Sequence, residues 1–188
     1  NAAGAFIIAW EGSGGADPNG IYVRQFAADG TPTSSQFPVN PTIANAQVGP
    51  STGIADNGNF MVSWQSTNQV DIASEGDIYF QRFNSAGTAV GGETLVNTVT
   101  AGDQIAADVA MNGGGAFVIV WQGPNAADLP NADEIYGQRY NANGTVNGVE
   151  FAVNTSTNNN QFTPSVAMAD DGTFVVAFTG PGSGNEVY

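Results

Sequence analysis

The chain repeats itself with a period of 57, and few folds can follow from that. Phe60, Phe117 and Phe174 fall at this interval, as do Tyr22, Tyr79 and Tyr136. Asn40, Asn97 and Asn154 do the same, and so do Gln47, Gln104 and Gln161. The surrounding text agrees: 60–64 reads Phe-Met-Val-Ser-Trp, 117–121 Phe-Val-Ile-Val-Trp and 174–178 Phe-Val-Val-Ala-Phe. A fixed period of this size means that one supersecondary unit is used repeatedly, each burying its apolar surface against the next.

Each unit reads as four short strands, a to d. Strand a is of the 164–168 type, Pro-Ser-Val-Ala-Met, and leads into a hairpin turn at Asp171-Gly172, Asn57-Gly58 or Gly114-Gly115. Strand b follows, then a loop of variable length, then strand c (78–83, Ile-Tyr-Phe-Gln-Arg-Phe). A second turn, at 84–87 or Asn143-Gly144, precedes strand d (150–154, Glu-Phe-Ala-Val-Asn). Val, Ile, Phe, Tyr and Trp dominate the strands, and no window holds a helical period. Strand b is apolar at consecutive positions, so it is expected to be covered on both faces. That suits a sheet stacked between two others, as in the blades of a β-propeller.

The expected fold is therefore all-β, with blades of four antiparallel strands. A single repeat array is expected: a partial blade over 1–47, blades over 48–104 and 105–161, and a partial blade over 162–188. Strands bcd, abcd, abcd and abc make 14, too few to close a ring of four to eight blades. The chain is then expected to be part of a longer protein, or to close with a second copy as seven blades.

Length variation is confined to one loop. Tyr22 to Phe60, Tyr79 to Phe117 and Tyr136 to Phe174 share one interval, 38. From strand b to strand c, Trp10 to Tyr22 is 12, Trp64 to Tyr79 is 15, Trp121 to Tyr136 is 15 and Phe178 to Tyr188 is 10. One rim thus carries the change, and variable loops on a fixed scaffold are where binding tends to reside.

Charge narrows the chemistry. The chain has 17 acidic residues, three Arg, no Lys and no His, a net charge of −14. Such a chain repels a phosphate backbone, which argues against nucleic-acid partners. With no Cys there is no disulfide, thiolate metal site or thiol nucleophile, and with no His the commonest general base is missing. Apolar runs are strand-sized, as at 116–121, so no membrane span is expected, and no basic segment followed by an apolar stretch marks a signal peptide. The first residue is Asn, as in a mature or partial chain.

The acids gather in the b–c loops: Asp71, Glu75 and Asp77, then Asp128, Asp133 and Glu134, with Asp17 and Asn19 in the first unit and Asn185 and Glu186 in the last. Solvated surface charge is the first reading of these loops; the alternative is Ca²⁺ as a cofactor, since several hard oxygen ligands in a Gly-rich loop are what it requires. Arg82 and Arg139 share a place in strand c, and Glu93 and Glu150 share one in strand d. Gln25 and Gln36 take both places in the first unit, with Arg24 one position off. A cross-strand Arg–Glu pair is the expected arrangement. Gln47, Gln104 and Gln161 are expected to latch blade to blade, and Trp10, Trp64 and Trp121 to pack between blades. Asn143-Gly-Thr145 and Asn154-Thr-Ser156 match the glycosylation triplet.

The order Pro-Ser-Val-Ala-Met, Asp-Gly, Phe-Val-Val-Ala, acidic loop, Ile-Tyr-x-Gln-Arg-Phe, Val-Asn-Thr resembles repeats of large secreted bacterial calcium-binding, adhesin-type (repeats-in-toxin-like) proteins. More distantly it is similar to blades of the sialidase-type propeller superfamily. The first resemblance implies a secreted or cell-surface structural or adhesion module. An enzyme needs one singular constellation and this chain mostly repeats itself, so it is expected not to be an enzyme. Its expected partners are neighbouring blades of the same or another chain and a cell-surface glycan or protein. The second implies a fragment of a sialidase-like glycosidase or of a carbohydrate-binding propeller. The sialidase turn with its set Ser, Asp, Gly and aromatic is absent at 29–31, 84–87 and 141–144, so no catalytic residue carries over.

Overall fold

The computed structural model describes residues 1–14, 17–70, 75–124, 132–155, 159–181 and 185–187. Fourteen strands form among them and no helix: β1 (Phe6–Gly14), β2 (Asp17–Phe26), β3 (Phe37–Pro38), β4 (Gln47–Ile54), β5 (Phe60–Thr67), β6 (Gly76–Phe83), β7 (Ala89–Leu95), β8 (Ile105–Met111), β9 (Phe117–Pro124), β10 (Asp133–Tyr140), β11 (Phe151–Ala152), β12 (Phe162–Met168), β13 (Phe174–Pro181) and β14 (Asn185–Val187). They make four antiparallel sheets, β1-β2-β3, β4-β5-β6-β7, β8-β9-β10-β11 and β12-β13-β14. This is the expected all-β blade array, and the ring is not closed. Strands β4, β8 and β12 neighbour one another, which puts strand a on the inner side of each blade and strand d outside.

Blade-to-blade burial explains the doubly apolar strand b. Along β5, Phe60, Val62 and Trp64 face back to Ile21 and Val23 of the first blade. Met61, with Ile78 and Phe80, faces forward to Phe117, Ile119 and Trp121 of the third. Phe80 meets Phe117 and Tyr140 edge-on, with centroids 5.4 and 5.0 Å away, while Phe117 and Tyr140 stack at 4.8 Å. Trp10, Trp64 and Trp121 each stack on the strand-c Tyr of their own blade, at 6.4, 6.4 and 6.1 Å. Trp64 and Trp121 are fully buried and offer no face to a ligand.

The a–b turns are tight in a particular way. Gly58 N donates to Ala55 O at 2.9 Å, and Ala55 N to Asn59 O at 2.8 Å. Only Gly58 has positive φ (82°), so this is a turn followed by one left-handed residue, a place that glycine fills without Cβ strain.

A second left-handed position recurs at the repeat interval where strand a starts: Gly49 (φ 62°), Ala106 (53°) and Thr163 (45°). Each lies where the a–b register slips by a bulge. An L side chain in this region costs about 1–2 kcal/mol. Ala106→Gly and Thr163→Gly should therefore each stabilise the chain by about 0.5–1 kcal/mol after glycine's extra unfolded-state entropy, the β-branched Thr giving the larger gain. Urea unfolding checks the sign, and a loss at both positions would contradict the strain.

Candidate functional site

The b–c loops and d–a connectors share one rim, and the a–b and c–d turns share the other. On the first rim each blade is locked by a buried amide. Asn40, Asn97 and Asn154 accept the backbone N–H of Ile21, Ile78 and Ile135 at 2.7, 2.8 and 2.8 Å. Their amide nitrogens donate to Asp17 (2.8 Å), Asp77 (2.7 Å) and Glu134. All six side chains are buried. Asp77 and Glu134 are equivalent, and the matching residue in the first blade is Gly20. A Cβ there would lie 2.7 Å from Asp17 Cγ, so Asp17 brings its carboxylate into the same space from further upstream.

Three of the acids read as loop acids thus act as buried acceptors. Of the other candidate Ca²⁺ ligands, Asp71 and Asp128 lie outside the described residues. Glu75 is exposed with φ 52° and its carbonyl takes the Asn68 N–H at 2.7 Å. Asp133 accepts from Gln122 Nε2 at 2.9 Å. Among the described residues no three acids come together as a metal-holding group.

The expected Arg–Glu pairs do not form, because strand pairing puts the Arg and the Glu of each hairpin on opposite faces of the sheet. Arg82 stands opposite Val90, and the register shifts between Phe80 and Arg82, where Gly91 and Gly92 intervene before Glu93. Alternation then sends Arg82 to the forward face with Phe80 and Glu93 to the backward face with Leu95. Arg82 Nη1 donates to Ala142 O of the third blade at 3.2 Å, just as Gln25 Nε2 donates to Ser85 O of the second at 3.0 Å. Glu93 accepts from Thr42 Oγ1 at 2.6 Å and Glu150 from Thr98 N at 2.8 Å, both on the preceding blade's connector. Arg139 has the forward position of the third blade, its guanidinium beside Gly148.

The glutamines hold the connectors. Gln47 Nε2 donates to Ala44 O at 2.8 Å, and its Oε1 accepts from Asn40 at 3.2 Å. Gln104 Oε1 accepts from Trp121 Nε1 at 3.1 Å. Through their backbones, Gln104 and Gln161 reach Gly76 O and Asp133 O of the preceding blade at 2.8 and 2.9 Å.

Closer to the axis the same rim carries polar groups that differ from blade to blade. The residue after the strand-b Trp is Glu11, Gln65 or Gln122. Glu11 Oε1 accepts the N–H of the left-handed Gly49 at 2.8 Å, and Gln122 Oε1 that of Thr163 at 3.4 Å. Gln65 instead lies over Gly76 with the exposed Asp103 beside it. Between the first two blades an open cleft of about 290 Å³ is lined by Glu11, Pro18, Asn19 and Val48. Carboxylates and amides around an open cleft, with no cation among them, suit ligands rich in hydroxyl donors.

Two tyrosines fix an alkaline limit. Tyr79 is pushed up to about 12 by burial and then by the charges of Asp77 and Glu93. Tyr140 is raised further, by burial and then Glu150. An acid whose folded pKa exceeds its unfolded value of about 10 stabilises the fold below that pH and loses the contribution as pH rises through the folded pKa. Stability should fall from pH 10 to beyond 12, and Tyr79→Phe with Tyr140→Phe should flatten that fall. An unchanged slope in the double variant would contradict it.

No protein-family model and no curated protein matches the chain. Solved structures do. An endo-arabinase from Bacteroides thetaiotaomicron matches with TM-score 0.57 and 15% identity over 98% of this chain and 70% of its own. A Hadza microbial sialidase matches at 0.58 and 13% over 94% and 42%, and a polysaccharide lyase, an ulvan lyase, at 0.53 and 12% over 98% and 52%. The chain thus spans between two fifths and seven tenths of these structures. At such identities the likeness shows the fold. It supports the sialidase side of the sequence resemblance and gives none to repeats-in-toxin-like adhesins. The reading that the chain is not an enzyme is corrected: structures with this fold include an arabinase, a sialidase and a lyase. Repetition of the scaffold is no argument against catalysis, because singular residues such as Glu11 can sit on a repeated frame.

Proposed function

We propose that the chain is a blade array of a carbohydrate-acting β-propeller, a glycosidase or glycan-binding protein of the sialidase-like kind, working outside the cell or at its surface. One observation carries the reading: on the b–c rim, Glu11 lines an open cleft, the equivalent places in the next two blades hold Gln65 and Gln122, and Asp103 and Asp133 lie beside these two. The fold it shares with an arabinase, a sialidase and a lyase supports this. An acidic chain without Lys or Cys supports the extracellular setting. No helix of the described residues is long and apolar enough to cross a membrane.

The test is to incubate the full protein carrying these blades with arabinan, sialylated glycans and a uronate-containing polysaccharide, following binding and release of reducing ends. One class should be bound or cleaved, with Glu11→Gln or Asp133→Asn weakening it tenfold or more. Binding and release absent for all three would overturn the proposal.

A further inference from the structure

Where a repeat breaks its own pattern, the difference needs a physical reason, and Glu93 supplies one. Its counterpart Glu150 uses one carboxylate oxygen on the backbone N–H of Thr98. The residue equivalent to Thr98 on the preceding connector is Pro41, which has no N–H to give. Glu93 is thereby turned to Thr42, whose hydroxyl donates to Oε1 at 2.6 Å, and to Gln69, whose amide nitrogen donates to that same oxygen. The amide nitrogen also reaches Thr42 Oγ1 at 3.3 Å, so both contacts engage the donor end of the Gln69 amide.

Two acceptors are left over. Glu93 Oε2 and Gln69 Oε1 are both buried and neither meets a donor. Among the described residues no counter-charge meets it: the chain has no Lys, Arg82, the arginine of this blade, leaves by the opposite face of the sheet, and Arg139 lies beside Gly148 in the third blade. Arg24 is held by Ser34 O at 3.1 Å. A carboxylate oxygen buried without a donor or counter-charge is costly, and an external cation removes the cost.

We propose that Glu93 Oε2 and Gln69 Oε1, with the Thr42 hydroxyl at hand, form a site for a hard cation between the first and second blades. Carboxylate, amide and hydroxyl oxygens are ligands of the Ca²⁺ type, and one carboxylate with water completing the shell makes a weak site. It is distinct from the acids of the b–c loops and does not depend on the carbohydrate reading. Its role is to pin the second blade's outer strand to the preceding connector.

The experiment titrates the chain with CaCl₂, following calorimetric heat and thermal midpoint, with NaCl of matched ionic strength as reference. Glu93→Gln should weaken Ca²⁺ binding at least tenfold and abolish the Ca²⁺-specific rise in midpoint. Glu150→Gln, whose oxygen already has Thr98, should leave both unchanged. Gln69→Leu, at a half-exposed position, removes the amide oxygen alone and should weaken binding in a chain that still folds. A Ca²⁺ response equal in Glu93→Gln and the parent chain would place the ion elsewhere, and a response matched by NaCl would leave only screened charge. Either result overturns the proposal.

Discussion

Asn97→Ala should lower the unfolding free energy by about 3–5 kcal/mol, because it removes three hydrogen bonds and a buried group left unmet costs about 1–3 kcal/mol. The side chain makes three bonds at a site closed to water: it accepts Ile78 N–H and donates to Asp77 Oδ1 and to Val99 O, the last at 2.8 Å. Alanine leaves a buried N–H and a part-buried carbonyl without this partner and takes a neutral donor from the Asp77 carboxylate. For a chain of this length 1 kcal/mol moves the midpoint by roughly 2–4 °C, so a drop on the order of 10 °C is expected. Asn97→Asp keeps the shape but sets a second carboxylate against Asp77, and should be at least as damaging at neutral pH. Thermal and urea unfolding check both. A loss under about 1 kcal/mol would mean that the amide does not hold strand c to its connector.

The second large effect concerns the two ends of the array. Met61, Val118 and Val175 are equivalent forward-facing positions, exposed to 0%, 0% and 66%. At the other end Phe6 and Ile8 correspond to the buried Phe60 and Val62, yet are 37% and 47% exposed. These are the two halves of the interface that already joins the inner blades, so they complement one another. The isolated 188-residue chain should associate head to tail as concentration rises, and more so in salt, which screens its −14 charge. Val175→Glu should keep it monomeric by burying an unpaired charge at any such contact. Light scattering reads the outcome. A parent chain that stays monomeric at millimolar concentration in high salt would contradict the complementarity.

What the sequence made legible follows from what a period can carry. The fixed period and the doubly apolar strand b, with Phe60 and Met61 facing opposite blades, were enough for the blade array, because burial repeats with the backbone. Arg82 and Glu93 look like partners because they lie on neighbouring strands, yet Tyr79 pairs with Leu95 and Phe80 with Thr94, so Glu93 falls on the Tyr79 face and Arg82 on the other. Asp17, Asp77 and Glu134 looked like loop acids because the b–c interval varies, which hides the start of strand c. The signal that could have assigned them was present: Asn40, Asn97 and Asn154 follow the strand-c residues Ile21, Ile78 and Ile135 at one constant interval. The cluster at Glu93 had no repeated signal at all, since it exists through the single difference between Pro41 and Thr98. Glu11, Gln65 and Gln122 also differ from one another, and a search for identity passes over them.

The claim that the b–c rim is the working face is tested most directly by hydrogen–deuterium exchange of the chain with arabinan-derived, sialylated or uronate oligosaccharides at millimolar concentration. One of these ligands should slow exchange at 11–14, 46–49, 103–106 and 122–124, with the turns at 55–59 and 84–88 unaffected. Protection confined to those turns, or none with any of the three, would contradict the account.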